Sequence, residues 1–236
     1  MKLLAFDTST EVMSIAVQHG AQVFTHTGAG AAQASSTLIP AIQALMAQAG
    51  LQFGQLDAIV FGRGPGSFTG LRTACSVAQG LAFASGVPVL PVDTLHALAQ
   101  EAHHATAASR ICATLDARMG EMYYKYYIFD SCLRSISLGY SLKTPSSMEL
   151  EQGFADTLLA GNVRPVYDAQ LPAAVRAAPY YACLPSASAL LRLVPALIAQ
   201  GALVDAQDAL PLYVRDKVAL TTAERDLLAA AQAGSA

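Results

Sequence analysis

A chain of 236 residues with 53% hydrophobic and only 13% charged side chains has ample material for a core. Its net charge of −3 lacks the basic excess that a protein gripping RNA by itself gathers on one face. No apolar run reaches membrane-spanning length, and Asp7 interrupts the only apolar start, so neither a membrane protein nor a secretory leader is expected.

The charge deficit is uneven. Between Glu11 and Asp57 there is no Asp, Glu, Lys or Arg, and residues 1–109 hold only Lys2, Arg63 and Arg72 as basic residues. A surface so poor in ions suggests that part of it is covered by another protein. Cys75, Cys112, Cys132 and Cys183 are scattered without a C-x-x-C pair and read as small apolar residues of a reducing cytosol.

Leu3 to Phe6 is a compact apolar run that predicts a first strand ending at Asp7. Met13, Ile15 and Val17 alternate with smaller or polar residues as a second, and His19-Gly20-Ala21 turns into a third over Gln22 to Thr27. After a Gly/Ala/Ser-rich link, a helix is expected from Ser36 to Ala49, stopped by Gly50. Leu38, Ile42, Leu45 and Ala49 share one stripe, while Ile39 and Met46 carry the apolar surface round the side. So uncharged a helix is buried on more than one face, by the chain's own second half or, as we prefer, by a partner's helix.

Leu56 to Phe61 predicts the fourth strand, and Gly62 to Gly66 a glycine-rich turn with Ser67 as N-cap of a second helix running to Ala84. A helix N-terminus after a glycine loop can hold an anion. The phosphate fingerprints fail, however: no lysine lies between Lys2 and Lys125, and the glycine spacing is not that of a dinucleotide site. A tight turn packing helix against sheet is the favoured reading. Gly66, Gly70, Ala74, Ala78 and Ala82 recur every four residues, a row of small side chains along which another helix, of this chain or another, can approach closely. Val87 to Val92 is the fifth strand, and Asp93 caps a helix from Thr94 to His103. Three antiparallel strands and two right-handed crossovers give a ribonuclease H-like or actin-like half-domain over residues 1–107.

A second sub-domain is expected over residues 108–218, giving an α/β chain of two mixed sheets flanked by helices. Ile111 to Leu115, Met122 to Phe129 and Leu133 to Leu142 read as strands, Thr157 to Leu159 as a short one, and Ala187 to Ala199 as a helix containing Pro195. Residues 219–236 are expected to fray. Asp116, Arg118 and Glu121 mark a polar turn, read as a salt-bridged hairpin or as a place where Arg118 meets phosphate or a partner. Tyr123, Tyr124, Tyr126 and Tyr127 around Lys125 read as strand residues packing on both faces. Arg215 and Lys217 are the best remaining basic candidates for RNA.

The segment GRGPGSFTG, taken with the opening MKLLAFDTST, the later LDARMGEMYY and the near-terminal PLYVRDKVA, resembles the TsaB family, also called YeaZ. The likeness spans about the first 130 residues and returns at the last motif, while Ser141 to Gly201 carries none. It implies an actin-like fold whose motif loops are Arg63, Gly64, Pro65, Gly66, Ser67, Phe68, Thr69 and Gly70, with Asp116, Arg118 and Glu121. It also implies a cytoplasmic, non-catalytic subunit without a cofactor, partner of the TsaD transferase that places threonylcarbamoyl on adenosine 37 of tRNA. The family docks on TsaD through helices of the N-terminal half, a small ATPase, TsaE, joins, and tRNA is met only through the complex. In this chain that interface is expected at Ile39, Ile42, Met46, Gly70, Ala74 and Ala78, the face the charge deficit also indicates, with a homodimer forming through it when TsaD is absent.

The rival is an independent nucleotide-binding ATPase. In actin-like ATPases and sugar kinases, Asp-x-Gly-Thr forms the first phosphate loop; here Asp7, Thr8, Ser9 and Thr10 match it as a degenerate loop, with Ser9 where glycine would permit close approach. A two-metal nuclease needs several carboxylates beside the first strand, and Asp7 stands alone there. TsaD carries His-x-x-x-His after the fifth strand; aligned through Pro91-Val92, those positions are Thr94 and Leu98, which bind no metal. The same lack removes a peptidase.

Overall fold

The structure, a computed structural model, describes residues 1–130, 135–137, 139–150 and 156–215. Cys132, Lys217 and the expected frayed tail lie outside them. Two sheets, one built from each half, carry the chain. The first contains β1 (Lys2–Asp7), β2 (Val12–His19), β3 (Gln22–Ala29), β4 (Ala58–Gly64) and β5 (Val89–Asp93) in the order β3-β2-β1-β4-β5. The first three are antiparallel, while β4 joins β1 and β5 joins β4 in parallel.

The second sheet contains β6 (Arg110–Arg118), β7 (Glu121–Phe129), β8 (Ser135–Ser137), β10 (Leu158–Gly161) and β11 (Tyr180–Ala182) in the order β8-β7-β6-β10-β11, with β9 (Ser141–Lys143) also paired to β7. Here β6, β7 and β8 are antiparallel, and β10 and β11 add in parallel. The two halves therefore repeat one topology, the actin-like duplication. The strand expected over Leu133 to Leu142 is two short ones, β8 and β9, with residues 131–134 and 138 outside the described set.

Helices α1 (Ala34–Gln48) and α2 (Phe68–Ser85) cover one face of the first sheet, closing a core of Phe6, Ile15, Leu38, Ile42, Ile59 and Phe61. The other face is covered by a helix from the opposite half. Helix α6 (Ala187–Ala199) lays Leu190, Leu193 and Val194 against Leu3, Ala5, Val60 and Val92. Reciprocally, α3 (Thr94–Thr106) packs Leu95, Leu98 and Ala102 against Ile111, Ala113, Tyr123 and Tyr127 of the second sheet. Where they meet, Glu101 accepts from Arg192 Nη2 at 2.6 Å and from Ser186 Oγ at 2.5 Å. The outer face of the second sheet packs Met122, Tyr124 and Tyr126 on α4 (Val163–Tyr167) and α5 (Ala173–Ala177). The tyrosines of β7 thus alternate between two cores.

Small residues decide how α2 sits. A Cβ on Gly70 would lie 1.9 Å from the Thr8 carbonyl oxygen, so only glycine lets the helix rest on the β1–β2 turn. Ala74, Ala78 and Ala82 continue that row into the sheet, fully buried. This corrects the expected interface. Ile42, Met46, Gly70, Ala74 and Ala78 are buried within the chain's own core; of the six residues, Ile39 alone is exposed, at 46%.

Candidate functional site: the cleft between the two halves

The β1–β2 turn and the β6–β7 hairpin face each other across a cleft of about 390 Å³, and each is built on the same local bond. Asp7 Oδ1 accepts from the Ser9 amide at 2.8 Å; Asp116 Oδ1 accepts from the Arg118 amide at 2.8 Å. An aspartate bonding the amide two residues on is the Asx turn, and its recurrence marks the duplication at single-residue scale.

The two aspartates differ in surroundings. Asp7 is fully buried and also accepts from Ser9 Oγ at 2.6 Å and Thr94 Oγ1 at 3.3 Å. Burial pushes its carboxyl above the ordinary range, against the lowering effect of these bonds. The Ser9 amide and hydroxyl are thereby committed, as is the Ser67 amide, which donates to the Ser9 carbonyl at 2.7 Å. Thr8 Oγ1 donates to the Gly70 carbonyl at 2.7 Å, and Thr10 Oγ1 bonds within the turn. In the segment matching a phosphate loop, four potential donors are thus bonded inside the chain.

Asp116 is part-exposed and accepts from Tyr167 OH at 2.8 Å, while its other oxygen pairs with Arg118 at 3.2 Å. Arg118 and Met119 adopt positive φ, 62° and 57°, so the hairpin tip holds two side chains where glycine would be easier. Glu121 does not pair with Arg118 as a turn bridge would. It accepts from Arg215, which also donates to the Arg118 carbonyl at 3.2 Å.

Arg215 ends a segment that straps the halves together. Ala209 O accepts from Cys75 Sγ and Gln79 Nε2, both at 3.0 Å; Leu212 N donates to Arg63 O at 2.7 Å; Tyr213 packs on Phe68, ring centroids 5.4 Å apart. The four motifs that carry the family resemblance therefore converge: the DTST turn, the glycine loop, the DARMGE hairpin and the YVR strap all line this cleft.

Beneath it lies a cluster that sequence reasoning missed. Asp93 caps α3 through Oδ1, 2.9 Å from the Leu95 amide. Its Oδ2 accepts from Lys125 Nζ and Tyr127 OH at 2.9 Å and from Tyr140 OH at 2.6 Å. His96 stacks on Tyr127 at 5.1 Å. A lone lysine at an inward position of a tyrosine-rich strand was the available signal. Thr94 and Leu98, at the positions of the TsaD metal ligands, have other duties: Thr94 Oγ1 accepts from the Gly64 amide at 3.1 Å and donates to Asp7, and Leu98 is in the core. Among the described residues no group of three His, Cys, Asp or Glu side chains is placed to hold a metal ion.

Comparison with known proteins places the chain among relatives. The model of the family described as "TsaD: tRNA N6-adenosine threonylcarbamoyltransferase" matches residues 27–220. Proteins named "tRNA threonylcarbamoyladenosine biosynthesis protein TsaB" from Haemophilus influenzae and Escherichia coli are 42% and 38% identical to it, over 129 and 127 residues. Those matches cover 54% of this chain and 54% and 55% of the relatives, so the chain spans about half the length of the curated relatives it matches. The solved structure of YeaZ from Pseudomonas aeruginosa superposes with a TM-score of 0.82 at 38% identity, covering 90% of this chain and 99% of that one.

The chain belongs to the TsaB (YeaZ) family. The TsaB motifs identified in the sequence are thus the residues that shape the cleft and lock the two halves. Among the described residues no helix is long and apolar enough to cross a membrane.

Proposed function

We propose that this chain is a cytoplasmic, non-catalytic subunit of the assembly that forms N6-threonylcarbamoyladenosine at position 37 of tRNA. It docks on a TsaD-like transferase through the outer faces of α1 and α2, with a TsaE-like ATPase joining and tRNA met through the complex. The observation that carries this reading is the nearly ionless outer surface of those helices. Ile39 is 46% and Phe83 85% exposed, and Arg72 is the only charged side chain in either helix. A large exposed phenylalanine on such a surface fits a desolvated contact between proteins. The same patch supports a homodimer when the transferase is absent.

The commitment of the Ser9 amide and of the Thr8, Ser9 and Thr10 hydroxyls favours the scaffold over an independent ATPase, which needs open donors for phosphate. The test is co-elution with a TsaD-type subunit. Phe83→Asp and Ile39→Asp should each weaken the complex at least about tenfold, since a charge would be desolvated at its centre, while circular dichroism stays unchanged. Unaltered affinity in both variants removes the proposed interface.

A further inference from the structure

At the mouth of the cleft the strap leaves a tilted aromatic pair part-exposed. Phe68 is 39% and Tyr213 43% exposed, their rings 5.4 Å apart. The Arg72 guanidinium lies 3.9 Å over the Phe68 ring, and its Nε donates to Tyr213 OH at 3.3 Å. Among the described residues Arg72 has no carboxylate partner. Across the mouth, the Arg118 side chain is 74% exposed at the hairpin tip. Behind the stack the cleft has apolar walls, Leu115 and Tyr123, and polar groups at Asn162, Ser67 and Thr69. Apolar walls with a few convergent polar groups make a ligand pocket; aromatic rings flanked by guanidinium groups are the chemistry that receives an unpaired base and its phosphates.

We propose that this mouth takes an unpaired nucleotide of an RNA loop, its base stacking on the Phe68–Tyr213 pair and its neighbouring phosphates facing Arg72 and Arg118. The inference rests on reading the chain as a subunit of a tRNA-modifying assembly, and it names the part of the RNA this subunit touches. Three arginines stand around the mouth, Arg118 paired with Asp116 and Arg215 with Glu121, and they are too few to hold RNA tightly. The contact therefore orients a loop that the complex has already captured. It is separate from the docking patch: Phe68 and Phe83 lie 15 positions apart in α2, roughly 22 Å at 1.5 Å per residue.

The experiment uses the full-length chain assembled with the transferase subunit, at low salt, with a fluorescent hairpin RNA carrying a photoreactive uridine in its unpaired loop, and the same RNA annealed into continuous duplex. The hairpin should bind in preference to the duplex and crosslink to the peptide containing Phe68 or Tyr213. The double change Phe68→Ala with Tyr213→Ala should weaken binding about tenfold or more, and Arg118→Ala should flatten the salt dependence. Equal affinity for the duplex, no binding, crosslinks elsewhere, or an unaffected double variant overturns the proposal. Tyr213→Ala should leave co-elution with the transferase subunit intact. If instead it breaks co-elution and leaves RNA binding alone, the mouth is a protein-docking surface and the proposal fails. Phe83→Asp reads the docking patch separately, so the two readings fail by different measurements.

Discussion

His96 shows how one side chain packed between helix and strand sets a pH dependence. Burial lowers its pKa from 6.5 to about 4, with the Asp93 carboxylate opposing and the Lys125 ammonium assisting. The unfolded chain therefore takes up this proton first. Stability is intact above pH 6.5 and is lost as pH falls toward 4, with a slope of at most about 1.4 kcal/mol per pH unit from this group. His96→Phe keeps an aromatic ring against Tyr127 and removes the titration. Urea midpoints between pH 7 and 4.5 should fall less in that variant than in the parent; parallel curves would show that His96 is not the titrating group. The sequence disclosed the histidine but not its partners, because Asp93, Lys125, Tyr127 and Tyr140 are brought together only by the crossing of the two halves. Asp7 was legible earlier, as the end of an apolar strand before a hydroxyl-rich turn. What the sequence hid was that Ser9 spends both its donors on that carboxylate.

Helices α1 and α2 were found within a residue or two of their ends, yet the wrong faces were assigned to a partner. The reason is the lack of contrast around each helix. When Ala, Gly and Ser occupy most positions, the stripe pattern locates a helix but not which side is inward. The structure turns the small row of α2 to the sheet and leaves Phe83 outside. Ala78→Arg, which reads from sequence as a selective interface probe, must therefore force a guanidinium into a packed core. It should cost more than about 3 kcal/mol, through overpacking and an unpaired buried charge. Thermal melting and soluble yield should collapse, whereas Phe83→Asp melts like the parent; an Ala78→Arg protein that folds normally would contradict the packing described. Elements of the second half escaped for another reason. Helices α4 and α5 have five residues each and β11 has three, shorter than the periods that betray helices and strands.

At the scale of the whole molecule, composition and strand pattern suggest a division near residue 107 but are silent on the exchange between the two sheets. Each sheet carries on its inner face a helix of the opposite half, α6 on the first sheet and α3 on the second. Sequence periodicity reports that a helix has an apolar face and is silent on which sheet receives it. The consequence is mutual dependence. Residues 1–107 alone would expose Leu3, Ala5, Val60, Leu90 and Val92, which α6 otherwise covers, and would lose the bond from the Ala187 amide to Ser14 Oγ at 2.9 Å. Burying such side chains contributes about 1.5 to 3 kcal/mol for each large one, against a total stability of only about 5 to 15 kcal/mol for an ordinary domain. The fragment 1–107 should therefore show no cooperative melt and should bind a hydrophobic dye, and co-expression with residues 108–236 should restore a single transition. A sharp melt of 1–107 alone would make the halves autonomous domains, and the strap through Leu212, Tyr213 and Arg215 would then be their main tie.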